Sequence, residues 1–262
     1  MDFNTIKIQI GESMAWINLD RPDVRNAMNP SMISELTEAF DWLDNRDDIR
    51  VVILNGNGKV FCAGADIGYM KDTVGYDHYE SIQDAERLSK LYQKIYFCNK
   101  AVIIDVHGAC MGGANGIIAT ADIVIAEKRT TFAFSEVTLG LVPATISPFV
   151  MQRCGMSVCK ELMLTGRRFS AEEAQSFGLV NAVVEASEMV DTERHYIDLF
   201  LQASPDAIAE CKDLLRLESG LNDRLSPLFR QTSEIIASIR KSESGQEGMA
   251  AFLEKRKPKW II

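Results

Sequence analysis

Phe61-Cys62-Ala63-Gly64-Ala65-Asp66-Ile67 and Met111-Gly112-Gly113-Ala114-Asn115-Gly116 decide how this chain folds. Each glycine-bearing turn follows an apolar, β-branched run, Val51 to Leu54 in the first case and Ala101 to Val106 in the second, and each leads into a helical signal. Apolar strands alternating with helices imply a buried parallel sheet built from right-handed β-α-β units. The turns also carry a chemical implication. The first N–H groups of a helix have no intrahelical partner and bear partial positive charge, and small residues let a ligand oxygen come close to them. Two such turns converging on one carbonyl oxygen would form an oxyanion hole for a thioester or ester.

Either turn alone reads as a tight strand–helix connection. Both together with Glu136, in Phe132-Ala133-Phe134-Ser135-Glu136-Val137, read as one site. Glu136 stands among Phe132, Phe134, Val137 and Leu139. Apolar surroundings raise a carboxyl pKa toward the range useful for proton transfer. The plain alternative for Glu136 is a surface or N-cap carboxylate, and for Asp66 the N-cap of its helix.

Outward from these turns, Ile6, Ile8 and Ile10, then Ala15, Ile17 and Leu19, alternate about Gly11-Glu12-Ser13 and predict a hairpin. Asn29-Pro30 opens a helix with an Ile33, Leu36, Phe40, Leu43 stripe. Further helices are expected from about Tyr79 to Phe97 and Asn115 to Thr120, with a strand at Ile123 to Ala126. From Pro143 the chain turns helical, over about 145–154, 157–164, 171–176, 187–202, 205–219, 221–239 and 244–255, with one short strand near 179–184.

The 262 residues, 47% hydrophobic and 25% charged, suffice for one sizeable core or a core with an appendage. A net charge of −9 argues against a general nucleic-acid binder. No apolar stretch approaches the ~20 residues of a membrane span, and the first residues lack a secretory h-region, so the expectation is cytoplasmic. The six cysteines form no CxxC pair and have no histidine at metal spacing, so they read as buried free thiols rather than a metal site. His78, His107 and His195 are not catalytic candidates, and Tyr69 and Met70 line an acyl pocket or merely pack.

The quoted segments, taken in order, resemble the crotonase (enoyl-CoA hydratase/isomerase) superfamily over about Ile8 to Trp260. They include Arg21-Pro22, Asn26-Ala27-Met28, His107-Gly108, Ala121-Asp122-Ile123, Leu164 to Ala174, Gly178-Leu179-Val180 and Gly248 to Arg256. The resemblance implies an α/β fold, a spiral of ββα turns, with residues 1–195 as the core carrying a CoA-thioester site and 196–262 as a helical trimerisation region. It implies a homotrimer or a dimer of trimers. It further implies Ala65 and Gly113 as the oxyanion-hole N–H groups and Glu136 as the acid/base. No cofactor is expected, since coenzyme A belongs to the acyl-CoA substrate. Arg25, Lys59, the Ala63 carbonyl, Asp66 and Ile67 fall where the CoA moiety is bound. Phe252 and Lys255 match tail residues that cap the nucleotide of a neighbouring subunit, although any one of these cations also reads as a solvated charge.

One departure bears on the reaction. Hydratases with two glutamates carry the second just after the Gly-Gly turn, and here that position is Gly116. Three reactions need only one base beside the oxyanion hole: hydration of a branched or acidic 2-enoyl-CoA, a Δ3-to-Δ2 double-bond shift, and dehydration on a carrier-linked acyl group. A non-catalytic acyl-CoA-binding protein is a fourth reading. Gly140 to Val150 looks most like the methylglutaconyl-CoA hydratase branch of leucine breakdown, whose substrates bear a second carboxylate. Arg153, Thr145 or Ser147 are the candidates to receive it, with a helix N-cap as the plain alternative for the two hydroxyls.

Overall fold

The fold is known from a computed structural model, which describes residues 3–221, 223 and 226–261. Met1, Asp2 and Ile262, at the two ends of the expected regions, lie outside the described residues, as do 222, 224 and 225 of the helix expected from 221.

Two sheets are present among the described residues. The larger has the order β1-β2-β3-β4-β6-β9, with β1 (Ile6–Ile10), β2 (Met14–Leu19), β3 (Val51–Gly56), β4 (Ala101–Val106), β6 (Ile123–Glu127) and β9 (Ala182–Val184). Apart from the antiparallel β1–β2 hairpin, every neighbouring pair in it is parallel. The apolar runs of β3 and β4 are buried on both faces, as central parallel strands require. One face packs on α1 (Pro30–Asp44) and α3 (His78–Tyr96) through Phe40, Leu91 and Ile95. The other face, with Ile53, Ile103 and Ile125, is covered by Ile197 of α7 (Met189–Gln202).

The smaller sheet, β5-β7-β8, consists of the three-residue strands β5 (Ala109–Met111), β7 (Thr131–Ala133) and β8 (Arg168–Ser170). A bridge between Cys62 and Cys110 extends it sideways. Each turn of chain thus gives one strand to the large sheet and one short strand to the second layer, followed by helix: β3 and Cys62, then β4 and β5, then β6 and β7. This is the expected ββα winding. The helices that follow are α2 (Ile67–Val74) with α3, then α4 (Ala114–Ala119), then α5 (Ser147–Thr165).

The helical second part forms with three differences from expectation: a short strand, β8, precedes α6, the helix expected from 221 begins only at Pro227, and two expected helices join. Residues 147–165 run as one helix bent at Gly155, whose φ of 75° and ψ of 164° are not helical, so the two expected helices meet there without a loop. After α6 (Ala171–Ser176) and α7 come α8 (Pro205–Ser219), α9 (Pro227–Lys241) and α10 (Glu243–Leu253). The last two fold back on α3, α2 and the turn that follows β7, so residues beyond 196 help enclose the site. Of the six cysteines, Cys211 is exposed and Cys154 half-buried, because α8 and the outer face of α5 are uncovered in the single chain. No helix among the described residues is long and apolar enough to cross a membrane.

Candidate active site

The two glycine turns meet because the strands before them are neighbours. Phe61 N–H donates to His107 O (2.8 Å), Cys62 N–H to Ala109 O (3.1 Å), and Met111 N–H returns to Cys62 O (3.2 Å). Parallel strands run out at the same end, so both turns emerge side by side. On the other flank Met28 N–H donates to Gly64 O (2.7 Å) and Asp66 N–H to Met28 O (2.9 Å). Gly64 is left-handed (φ 94°), and a Cβ on it would lie 3.0 Å from Met111 O. The two turns are therefore in backbone contact. Within this hydrogen-bonded weave, the N–H groups of Ala65 and Gly113 donate to no acceptor among the described residues. Both residues line one cavity of about 460 Å³.

Glu136 lines the same cavity. It begins a one-turn 3-10 helix (Glu136–Leu139) just after β7, and β7 is paired with β5, Met111 opposite Ala133. That register delivers the carboxyl beside the second turn: a Cβ placed on Gly112 would lie 3.5 Å from Glu136 Oε1. The residue as a whole is half-buried, but its Oε2 is enclosed with no hydrogen-bond partner among the described residues. The enclosed carboxyl end governs its titration. Burial pushes its pKa up to about 7, opposed only by its own backbone N–H.

What stands near Gly116 explains the missing second carboxylate. A Cβ on Gly116 would lie 2.4 Å from Ile146 Cγ2 and 2.7 Å from Tyr92 Cζ, so those two side chains already fill the space a longer residue would need. Tyr92 is fully buried, and its hydroxyl donates to Gly113 O at 2.7 Å. Asn115 braces the turn from within, its Nδ2 donating to Gly112 O (3.0 Å), Ala133 O (2.9 Å) and Cys110 O (3.3 Å). Neither role is readable from the sequence, in which Tyr92 is one of several large residues on α3.

The remaining expected residues divide. Ala63 lines the cavity, its N–H donates to Arg25 O (3.0 Å), and its carbonyl accepts nothing among the described residues. The Arg25 and Lys59 side chains are exposed outside the lining, as is Ile67 at the start of α2. Asp66 is committed locally: Oδ1 caps α2 through Gly68 N–H (2.8 Å), and Oδ2 pairs with Arg21 (2.9 Å). Burial opposes ionisation of Asp66, yet Arg21 and the helix amides hold its carboxyl below the usual range. Tyr69 and Met70 line the cavity. So does Phe252, within its own chain, because α10 packs on the turn bearing Glu136; Lys255 is exposed beyond it.

The residues expected to receive a second carboxylate lie elsewhere. Arg153 donates to Ala121 O (2.6 Å), Gly178 O (3.1 Å) and Asn181 Oδ1 (2.5 Å), and lines a separate cavity of about 240 Å³. Thr145 is buried, and Ser147 donates to Ala144 O (2.9 Å). The cations that do line the Glu136 cavity are Arg168 and Arg240. Sequence reasoning missed both, since only the strand register and the fold-back of α9 bring them there.

This arrangement offers two free N–H groups for an oxyanion and one proton-transferring carboxyl. The family model for enoyl-CoA hydratase/isomerase matches residues 9–261. The chain is 30% identical to a short-chain-enoyl-CoA hydratase of Clostridium acetobutylicum, covering 98% of this chain and 97% of that one. It is 28% identical to a trans-2-decenoyl-[acyl-carrier-protein] isomerase of Streptococcus mutans, over 99% of both. The crystal structure of an enoyl-CoA hydratase from Shewanella pealeana is similar, with a TM-score of 0.81 at 36% identity over 98% of this chain and 96% of that one.

Proposed function

The chain belongs to the enoyl-CoA hydratase/isomerase family, and on that footing we propose that it adds water across the double bond of a 2-enoyl-CoA thioester. One observation carries this reading: the two unpaired N–H groups of Ala65 and Gly113 share a cavity with a carboxyl that burial lifts to a pKa of about 7. The thioester oxygen sits between the two N–H groups. Glu136, as carboxylate, takes a proton from water while the water oxygen bonds to Cβ, and the displaced π pair moves through Cα onto the thioester oxygen. The two N–H groups stabilise that enolate. Glu136 then returns its proton to Cα and the carbonyl re-forms. One water is consumed, and the glutamate ends as it began.

A carboxyl titrating near neutrality populates both required forms. Because Tyr92 and Ile146 fill the space at Gly116, both proton steps pass through Glu136, on one face of the substrate. Met70, Met111, Leu139, Leu141 and Met249 wall the cavity and suit a short branched acyl group of the methylglutaconyl type. The adenine end of CoA falls to the open Ala63 carbonyl, with Arg25, Lys59, Asp66 and Ile67 about it and Phe252 and Lys255 at its edge. Assembly as a homotrimer or a dimer of trimers and a place in the cytoplasm complete the reading.

The single carboxyl also favours a second reading, double-bond isomerisation, in which Glu136 carries one proton along the acyl chain. Incubation with crotonyl-CoA, 3-methylglutaconyl-CoA and a 3-enoyl-CoA separates the two. Loss of the conjugated thioester absorbance means hydration, and its gain from the 3-enoyl compound means isomerisation. Turnover in Glu136→Gln should fall by about 10²- to 10⁴-fold, the scale of a lost general acid/base. Binding of every thioester without turnover would overturn both enzymatic readings and leave an acyl-CoA-binding protein.

A further inference from the structure

Across the small sheet the site residues stand in a fixed lateral order. Met111 is opposite Ala133, and Ala133 is opposite Arg168. The Gly113 turn leaves β5, Glu136 follows β7, and Arg168 begins β8. Arg168 therefore lies on the far side of Glu136 from the Ala65 and Gly113 N–H groups, two strand spacings from Met111, or about 10 Å. Arg168 lines the same cavity at its exposed edge.

Arg168 is also uncommitted. Its neighbour Arg167 takes both nearby carboxylates, Glu161 at 2.6 Å and Glu173 at 2.9 Å. The Arg168 guanidinium has no ion-pair or hydrogen-bond partner among the described residues. Arg240, the other cation in the lining, is different: it pairs with buried Asp84 at 3.0 Å, and Asp84 also holds Arg87 and the Tyr69 hydroxyl. Nor does Arg168 neutralise Glu136, whose raised pKa reflects burial with no opposing cation. Arg168 is thus an exposed arginine on the cavity's lining whose guanidinium has no partner among the described residues.

We propose that Arg168 reads the far end of the acyl chain, its guanidinium receiving a carboxylate, so that the preferred substrate is the CoA monothioester of a short dicarboxylic acid. This rests on the hydratase reading above for the direction of the bound thioester, with C=O at Ala65 and Gly113 and the chain running past Glu136. Guanidinium–carboxylate recognition is bidentate and charge-assisted, which gives it discrimination over a neutral chain end.

Equilibrium binding tests it with probes that cannot turn over: glutaryl-CoA, butyryl-CoA and free CoA. The intact protein should prefer glutaryl-CoA to butyryl-CoA by about tenfold or more, and Arg168→Ala should bring that ratio to about one. Arg168→Gln serves as a second variant that keeps the side chain's length, and it should lose the same preference. An unchanged ratio in both variants overturns the proposal. So does an equal weakening of all three probes, which would mean that Arg168 holds a CoA phosphate. A wild-type protein inert toward every enoyl thioester would overturn the hydratase reading separately, because these binding ratios need no chemistry.

Discussion

The two sheets of this molecule are built to opposite ends. In the large sheet, β3 and β4 bury their side chains on both faces and pair on both edges. The small sheet uses strands of three residues, and the chain leaves β5 and β7 within two or three residues into turns that carry the Gly113 N–H and the Glu136 carboxyl. Burial of apolar area favours the first arrangement. The second keeps polar groups unsatisfied at a cost that the surrounding fold must offset. Stability is concentrated in one sheet and chemistry in the other.

This contrast can be broken by experiment. Ile103→Ala, in the large sheet on the face covered by α7, should cost about 2–5 kcal/mol of stability in denaturant unfolding. Turnover per folded molecule should stay as it was; a parallel fall in turnover would mean that the two sheets are not separable. Next in size is the burden of Glu136 itself. Burial holds its proton up to a pKa of about 7, whereas the unfolded chain releases it near the ordinary glutamate value of 4.5. The folded state thus binds the extra proton between those values, so the stability present below the unfolded pKa is lost as pH rises to about 7. The loss is about 3 kcal/mol. Glu136→Gln should flatten that part of the stability-against-pH curve and melt above the wild type at pH 8; identical curves would show that the carboxyl is not enclosed. The smallest effect concerns Tyr92→Phe, which removes the hydroxyl from Gly113 O. It should lower stability by about 1 kcal/mol and reduce kcat/KM as well, because the same bond braces the oxyanion turn. A melt and a turnover assay on one sample decide whether both move.

The same contrast explains what could be read in advance. The apolar runs of β3, β4 and β6, and the periodic helices such as 205–219, are written in long stretches, and the structure has them where the pattern puts them. β7 and β8 were illegible because three residues hold no period. The glycine turns stood out since their φ values and close contacts demand small residues. Arg168 and Tyr92 did not, because strand register and helix rotation choose them, not any local signal. Arg153 misled for a related reason. A cation in a sequence does not reveal that backbone carbonyls, here Ala121 O and Gly178 O, will claim it.

The seat of α10 has a consequence of its own. A Cβ on Gly248 would meet Leu139 O at 2.1 Å, and one on Gly140 would meet Ser244 O at 2.1 Å. Bare backbone thus rests on bare backbone, with no side chain as cushion, where the tail helix lies against the segment bearing Glu136. The alignment of the Glu136 carboxyl is therefore indexed to a helix more than a hundred positions downstream, and a shift of that tail by a fraction of an ångström passes straight to the segment that carries it.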